Sequence, residues 1–421
     1  MSNNSKVRRL ARSRVSETGE KYTKALRAVR AEADSRRSDH ARNESAPAPM
    51  TDFNPFDPTA DDPVDLEWPE GLIRPTSPPY LVYLDLNHWI GLAQANTGNL
   101  AGERYIDVLA AARAAHDAGS VAFPLSGTHY MEIAKITRRR WRADLASIME
   151  ELSGFITLVC RSVVMRLELE TALDHRFGRF TPRLGPVELL GFGVHHSIGI
   201  VPSISFGSDP DDATHESERW RNLRLLDRLP EDWRLGLERS VLAGPQDDRT
   251  EARLRADGWR PDAALETARS RAKEEAEQAG RLDADPRWRA GRLRDVVGAR
   301  EVIIELLDTL IYALRRRHLD ISGLFDDRAA ARQFAQCMPS MTVATEMKTR
   351  NHRSRDSKWD SNTTFDIDAM ALAVPYCDAV VTERHACDTL NIAKVGDRMG
   401  TTIMATPAEL LAWLEALERT E

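Results

Sequence analysis

The sequence lacks several features that mark specialised classes of protein. Its 421 residues include four cysteines, at positions 160, 337, 377 and 387, and none of them shows zinc-ligand spacing. No apolar run reaches the roughly 18 residues of a membrane span, and the N-terminal region lacks the apolar stretch of a secretory signal. These absences predict a reduced, cytoplasmic protein that does not bind a membrane.

An excess of positive charge is also absent. The formal net charge is −7, which argues against a protein that coats nucleic acid with its whole surface. Any nucleic-acid binding must therefore come from local basic patches. Hydrophobic residues make up 42% of the chain, enough for a sizeable core, and the length suits two domains or one domain with a large insertion.

Four segments of different composition follow one another along the chain. Residues 1–79 combine a basic polar tail with an acidic, Pro-rich linker, and this composition predicts disorder. Residues 80–180 and 296–421 alternate apolar strands with helices, which is typical of a parallel α/β sheet. Residues 181–295 are rich in Arg, Asp, Glu and Pro and predict a helical insertion between the two halves.

Acidic residues stand where predicted strands end and where helices begin. Asp85 follows the strand YLVYL, Glu383 ends the strand DAVVTE, and Glu132 lies in the first turns of the helix after the second strand. Asp366 and Asp368 open the helix before DAVVTE. Strand carboxyl ends and the helix starts that follow them share one edge of a parallel sheet, so we expect these acids to converge.

A group of converging carboxylates repels itself unless cations neutralise it. Oxygen ligands with few cysteines nearby suit Mg²⁺ or Mn²⁺. Such a site can hold one or two ions, activate water and stabilise the leaving oxygen of a phosphodiester. The pattern therefore predicts metal-dependent phosphodiester hydrolysis, although Asp85 taken alone is equally explained as a helix cap.

The stretches VYLDLNHWI, FPLSGTHYMEI and FDIDAMALAVPYCDAVVTE, in this order, resemble the PIN-domain nuclease superfamily. The resemblance covers roughly residues 80–180 and 335–421. It implies a three-layer α/β/α fold with a central parallel sheet, here interrupted by the helical insertion, and a metal-dependent endoribonuclease activity. Glu383 stands where the family more often has aspartate, and the segment between the second and third acids is unusually long.

The resemblance also implies roles for individual residues. The expected metal ligands are Asp85, Glu132, Asp366, Asp368 and Glu383, and all but Asp368 are the expected catalytic acids. Asp366 and Asp368 are two residues apart on one helix, so only one of them is expected to face the metal. Asn87 is expected to orient Asp85 by a hydrogen bond, with Thr382 also behind the ligands.

Two basic clusters flank the acids in sequence. KITRRRWR at 135–142 is predicted to continue the Glu132 helix, and KTRNHRSRDSKW at 348–359 precedes the Asp366 helix. Phosphate binding with base stacking on an aromatic side chain fits both clusters, and a solvated charged face is the alternative. The residues expected to bind substrate are Arg139, Lys348, Arg350, Arg353 and Arg355.

Other functions fit the sequence less well. An aspartate-nucleophile phosphatase needs a second aspartate two residues after the first, and that position is Asn87. A ribonuclease-H-like enzyme starts with antiparallel hairpins, whereas a helix follows the first strand here. A catalytically silent PIN-like module for RNA binding or scaffolding is the alternative. The sequence leaves open DNA as a substrate, a homo-oligomer, and a toxin or defence role under an inhibitory partner protein.

Overall fold

The computed structural model describes residues 67–75, 79–181, 183–199, 229–285, 287–290, 293–321, 324–325, 330 and 334–418. The chain divides into two units, Met1–Phe53 and Asn54–Glu421, and every described residue belongs to the second. The predicted tail and most of the predicted linker, residues 1–66, lie outside the described residues. No helix among the described residues is long and apolar enough to cross a membrane.

The described strands are short: β1 Leu72–Ile73, β2 Tyr80–Leu84, β3 Val121–Ala122, β4 Ile156–Leu158, β5 Val187–Glu188, β6 Leu190–Phe192, β7 Ala379–Val381 and β8 Thr402–Met404. A central parallel sheet has the order β3-β2-β7-β8. Two smaller pairs, parallel β1-β5 and antiparallel β4-β6, lie outside it. The predicted α/β class with a parallel sheet is confirmed.

Helices surround these strands. In the first half they are α1 Leu86–Asn96, α2 Ile106–Asp117, α3 Gly127–Ile133, α4 Arg139–Ser153, α5 Arg161–Phe177 and α6 Gly193–Ser197. The middle contains α7 Glu231–Ala243, α8 Asp248–Ala256, α9 Ala263–Ala284, α10 Arg287–Ala290, α11 Leu293–Glu301 and α12 Leu307–Arg316. The last are α13 Pro339–Arg353, α14 Ser361–Tyr376, α15 Arg384–Ile392, α16 Val395–Met399 and α17 Pro407–Glu418.

The apolar run of β2 is buried on both faces of the sheet. Leu81 and Tyr83 belong to one hydrophobic cluster, and Val82 and Leu84 belong to another. Successive side chains of a strand point to opposite faces, so this alternation places a core on each side of the sheet. The prediction that this strand is covered on both faces is confirmed.

The helix predicted across residues 127–152 is interrupted. It divides into α3 and α4, and the backbone N–H groups of Lys135 and Ile136 donate to the carbonyls three residues back. The β-branched Ile136 and Thr137 favour helix less than their neighbours do. The basic cluster at 135–142 therefore does not continue the Glu132 helix, as the sequence had suggested, but forms a turn and the start of α4.

The ordered fold begins before Tyr80. Leu72 and Ile73 form β1 and pair with β5, and the Trp68 ring packs edge-on against Tyr376 with centroids 5.1 Å apart. The predicted linker to residue 79 therefore includes a segment, 67–75, that contributes to the core. Trp68 and Leu72 are apolar residues within a polar stretch, and burying them outweighs its loop-like composition.

Candidate active site

Asp85 is both a helix cap and a member of the site. Its Oδ1 accepts a hydrogen bond from the Leu86 N–H at 2.7 Å, and its side chain is buried. Leu84 pairs with Val381 in the sheet, so Asp85 and Thr382 are the next residues on two neighbouring parallel strands. The Thr382 hydroxyl donates to Asp85 Oδ2 at 3.4 Å. The helix-cap interpretation of Asp85 is therefore confirmed, and the cap does not prevent Asp85 from lying beside the other acids.

The four predicted catalytic acids lie within electrostatic reach of one another. Burial raises the pKa of Asp85 to about 7, and the negative charges of Glu132 and Glu383 contribute to that rise. Burial raises the pKa of Asp366 to about 8, and Asp85, Glu132 and Glu383 add to that effect. Parallel strands that end at one edge bring together residues almost 300 positions apart, as the sequence predicts.

Glu132 is held by a lysine that is absent from the expected set of site residues. Lys135 Nζ donates to Glu132 Oε1 at 3.1 Å and to Asn362 Oδ1 at 2.9 Å, and it lies 4.7 Å from the centre of the Phe365 ring. Lys135 thus links α3 to α14, the helix that carries Asp366. The spacing of Glu132 and Lys135 in the sequence could have predicted this contact, because residues three apart on a helical turn share a face.

Thr382 supports Asp85 as expected, whereas Asn87 has a different partner from the one expected. The Asn87 amide donates a short hydrogen bond to Glu383, not to Asp85. The expectation that Asn87 orients Asp85 is wrong, because Asn87 lies inside α1 and reaches across to the start of α15. Thr382 contacts Asp85 instead, since the register of β2 and β7 places the two side by side.

Asp368 does not belong to the acid group. It accepts hydrogen bonds from Arg161 Nη1 at 2.7 Å and from Arg271 Nη2 at 3.1 Å. Burial alone would raise the pKa of Asp368, but the guanidinium groups of Arg271 and Arg161 outweigh burial and lower it. Residues two positions apart on a helix are separated by about 200° around its axis. The side chains of Asp366 and Asp368 therefore face opposite sides of the helix. Asp366 is the one that joins the other acids.

Two of the basic residues expected to bind substrate are engaged elsewhere. Arg139 forms ion pairs with Asp248 and, at 3.4 Å, with Glu251. Lys348 is 5% exposed and forms ion pairs with Glu275 at 3.1 Å and with Glu301. Lys348 as a substrate ligand is therefore wrong. It lies on the buried side of α13, where a lysine is retained only if acids neutralise it.

The remaining residues of the second basic cluster divide into exposed arginines and a histidine–tryptophan pair that packs inward. Arg350, Arg353 and Arg355 are exposed, and Arg355 Nε lies 3.8 Å from Asp283. His352 is buried, with its Nε2 2.8 Å from Glu275 Oε2, and its ring contacts Trp359 at 4.6 Å between centroids. Trp359 therefore packs inward and is not a free stacking surface.

A cleft of about 350 Å³ opens onto the acid group, and we call it the acid cleft. Its lining residues include Asn351, Lys358, Asp366, Glu383 and His385. Lys358 belongs to the predicted basic cluster but is not among the expected ligands. Arg350, Arg353 and Arg355 do not line this cleft. The loop after α13 therefore contributes the side chain of Lys358 to the cleft, and not the arginines that were expected there.

A second cleft, of about 450 Å³, lies between α1 and α4, and we call it the Trp141 cleft. Lys135, Arg138 and Trp141 line it, together with Ile90 of α1. Trp141 is 56% exposed, and the Arg138 guanidinium lies 4.3 Å from the centre of its ring. Because Lys135 also binds Glu132, this cleft begins next to the acid group.

No three of the four acids, all of which are described residues, place ligand atoms within 4.8 Å of one another. Among the described residues, one group of three has potential ligand atoms within 4.8 Å of one another. That group is Glu67, His175 and Cys337, and it does not include the four acids. Mg²⁺ keeps several waters and commonly uses one or two carboxylates plus substrate phosphates. An ion that uses one or two carboxylates does not require all four acids within coordinating distance of one point.

Comparison of the chain with protein-family models, with curated proteins and with solved structures yields no match in any of the three. The PIN-domain resemblance accordingly stays a prediction that rests on the sequence motifs.

We expect the metal-free protein to lose stability as pH rises. The pKa values of Asp85 and Asp366, about 7 and 8, lie above the ordinary 3.8, so the native state binds more protons than the unfolded state. This contribution is intact below about pH 4 and is lost as pH rises through about 7 to 8. Urea unfolding in a chelator at a series of pH values measures it, and Asp366→Asn should flatten the curve. An equally steep curve for that variant would contradict the assignment.

Proposed function

We propose that this protein is a metal-dependent endoribonuclease of the PIN-like type. The observation that supports the proposal most directly is the group of four acids, Asp85, Glu132, Asp366 and Glu383, in and beside a solvent-accessible cleft at the carboxyl edge of a parallel sheet. Asp85 is buried, Glu132 and Asp366 are partly buried, and holding such carboxylates close together costs stability. A cation that binds them offsets this cost, and the same cation can activate water for phosphodiester hydrolysis.

The PIN-like three-layer fold is part of this proposal. Its support is the β3-β2-β7-β8 parallel order, with hydrophobic clusters on both faces of β2. A divalent ion bound here supplies an activated water and stabilises the charge that develops on the phosphate. Asp366 and Glu383, which line the acid cleft, and Asp85, whose charge acts on Asp366, are the residues proposed to hold it.

The other residues of the site position these ligands. Thr382 fixes the carboxylate of Asp85, and Asn87 fixes that of Glu383. Lys135 restrains Glu132 and partly offsets the negative charge around Asp366. Lys358 contributes a positive charge to the acid cleft, where a phosphate of the substrate would bind. Hydrogen bonds of this kind to metal ligands are typically needed for full metal affinity.

The Trp141 cleft supports a single-stranded substrate. Bases of single strands stack on exposed aromatic rings and on arginine planes, and this cleft offers both next to the acids. We expect Trp141→Ala to weaken substrate binding by about 5- to 150-fold, since one stacked base contributes about 1–3 kcal/mol. Trp233→Ala is the matched control, because Trp233 is 68% exposed and lines neither cleft.

That prediction is measured as KM and kcat on a single-stranded RNA, and as the Kd of a cleavage-deficient variant for the same strand. An effect on KM and Kd for Trp141→Ala alone supports the stacking assignment. Equal effects of both substitutions, or none, would contradict it and leave the nuclease proposal untouched.

The direct test of the proposed function is cleavage of mixed single-stranded RNA and DNA by the purified protein with Mg²⁺, with Mn²⁺ or with EDTA. Asp85→Asn is run beside the parent. Metal-dependent cleavage of RNA that disappears in the variant supports the proposal, whereas cleavage of DNA alone revises the substrate. Binding of RNA without cleavage under every condition favours the silent RNA-binding module and contradicts the nuclease.

A further inference from the structure

Three residues from distant parts of the chain meet away from the acid group. Glu67 precedes β1, His175 lies in the last turn of α5, and Cys337 stands two residues before α13. One potential ligand atom from each lies within 4.8 Å of the other two. We call these residues the Cys337 cluster. They have no local spacing in the sequence, so the usual motif rules for metal sites do not detect them.

The contacts within the cluster are polar and direct. The Cys337 thiol donates to Glu67 Oε2 at 2.9 Å, and His175 Nε2 contacts the other oxygen of the same carboxylate. Cys337 is fully buried, while the side chains of Glu67 and His175 are each about one third exposed. The cluster therefore has a buried sulfur at its base and an entry from solvent through its other two members.

We propose that the Cys337 cluster binds a transition-metal ion, with Zn²⁺ the expected occupant. Thiolate, imidazole and carboxylate are the three ligand types that Zn²⁺ uses in proteins, and a sulfur with a nitrogen donor disfavours Mg²⁺ and Ca²⁺. Three protein ligands and one water complete a tetrahedral shell. On binding, the thiol loses its proton to solvent and the sulfur–metal bond replaces the thiol–carboxylate hydrogen bond.

The cluster lies where three separate segments of the fold meet. A bound ion would join the segment that leads into β1, the end of α5 and the start of α13. Helix α13 in turn packs against α14, which carries Asp366. Ligands that are far apart in sequence close long loops when a metal bridges them, and the unfolded chain does not hold the metal, so the binding free energy stabilises the fold.

The test uses the full-length protein stripped of metal and then titrated with Co²⁺, a coloured substitute for Zn²⁺. We expect one equivalent of Co²⁺ to produce a cobalt–thiolate charge-transfer absorption, and one equivalent of Zn²⁺ to abolish it and to raise the melting temperature. Cys337→Ser should lose the absorption, and His175→Ala should weaken metal binding by at least about tenfold. Cys160→Ser, at a half-buried cysteine outside the cluster, is the matched control.

The competing explanation is a metal-free chain of hydrogen bonds from Cys337 and His175 to Glu67. In that case one equivalent of Co²⁺ gives no thiolate absorption, Zn²⁺ leaves the melting temperature unchanged, and the proposal is overturned. An absorption that Cys337→Ser retains would overturn it as well. His175→Ala keeps the test informative if Cys337→Ser fails to fold, because His175 is partly exposed.

This inference is independent of the proposed nuclease activity. Cys337→Ser should retain Mg²⁺- or Mn²⁺-dependent cleavage at a temperature where the variant is folded, whereas Asp85→Asn should retain the cobalt–thiolate absorption. EDTA removes metal from both sites. Restoring cleavage with Mg²⁺ alone therefore separates the acid group from the Cys337 cluster.

Discussion

Asp366→Asn should abolish cleavage while the protein stays folded, whereas Asp368→Asn should retain cleavage but make the fold less stable. The two aspartates are two residues apart on α14 but face opposite environments. Burial and then the neighbouring acids raise the pKa of Asp366, whereas Asp368 accepts hydrogen bonds from Arg161 and Arg271. The pair is a matched comparison, since both substitutions remove one carboxylate from the same helix.

The physical reasons for the two outcomes differ. Removing a metal ligand costs several kcal/mol of transition-state stabilisation, which corresponds to roughly a thousandfold or more in kcat. It also relieves repulsion, so Asp366→Asn should raise the free energy of unfolding in EDTA at about pH 8.5, by about 1–3 kcal/mol. Asp368→Asn leaves Arg161 and Arg271 with fewer partners and should lower that free energy by about 2–3 kcal/mol.

Single-turnover cleavage and urea unfolding of both variants measure these effects. Cleavage by Asp368→Asn is assayed at a temperature where the variant is folded, and near-parental activity is expected. If Asp368→Asn were inactive while folded, or if Asp366→Asn cleaved like the parent, then the wrong aspartate has been assigned to the site.

Lys348→Met should strongly destabilise the fold. Lys348 lies between Glu275 and Glu301, both buried, and removing it leaves two acids without their main counter-charge. Breaking a buried ion pair from one side costs about 3–5 kcal/mol. His352 and Arg300 also approach Glu275, so the loss should fall toward the lower end of that range.

The matched control is Arg350→Met, two residues along the same helix but on its exposed face. Exposed substitutions of this kind usually change the free energy of unfolding by less than about 0.5 kcal/mol. Unfolding by urea at neutral pH measures both. The kinetic readout separates structure from substrate binding, because KM should be unchanged for folded Lys348→Met. A higher KM without lost stability would restore Lys348 as a substrate ligand.

Lys348 and Arg350 belong to the same basic cluster, yet Lys348 is buried and Arg350 is exposed. The sequence identifies a run of cationic residues before the Asp366 helix, but it does not show which of them are exposed and which are buried. Whether a cationic residue of α13 stays exposed or forms a buried ion pair depends on the helix face that it occupies. It also depends on which acidic residues the middle segment of the chain brings to that face. Glu275 and Glu301 lie on α9 and at the end of α11, and only the tertiary structure places them against Lys348.

Local patterns in the sequence are enough to predict the parallel sheet, the buried strand that ends on Asp85, and the convergence of Asp85, Glu132, Asp366 and Glu383. An apolar run forms a strand, and a parallel sheet brings strand carboxyl ends to one edge. Contacts within the folded chain decide that Asp366 rather than Asp368 faces the acids and that Asn87 binds Glu383. The same contacts bring Glu67, His175 and Cys337 together. Such choices depend on side-chain direction and on contacts between residues far apart in the chain, and neither is encoded in local spacing.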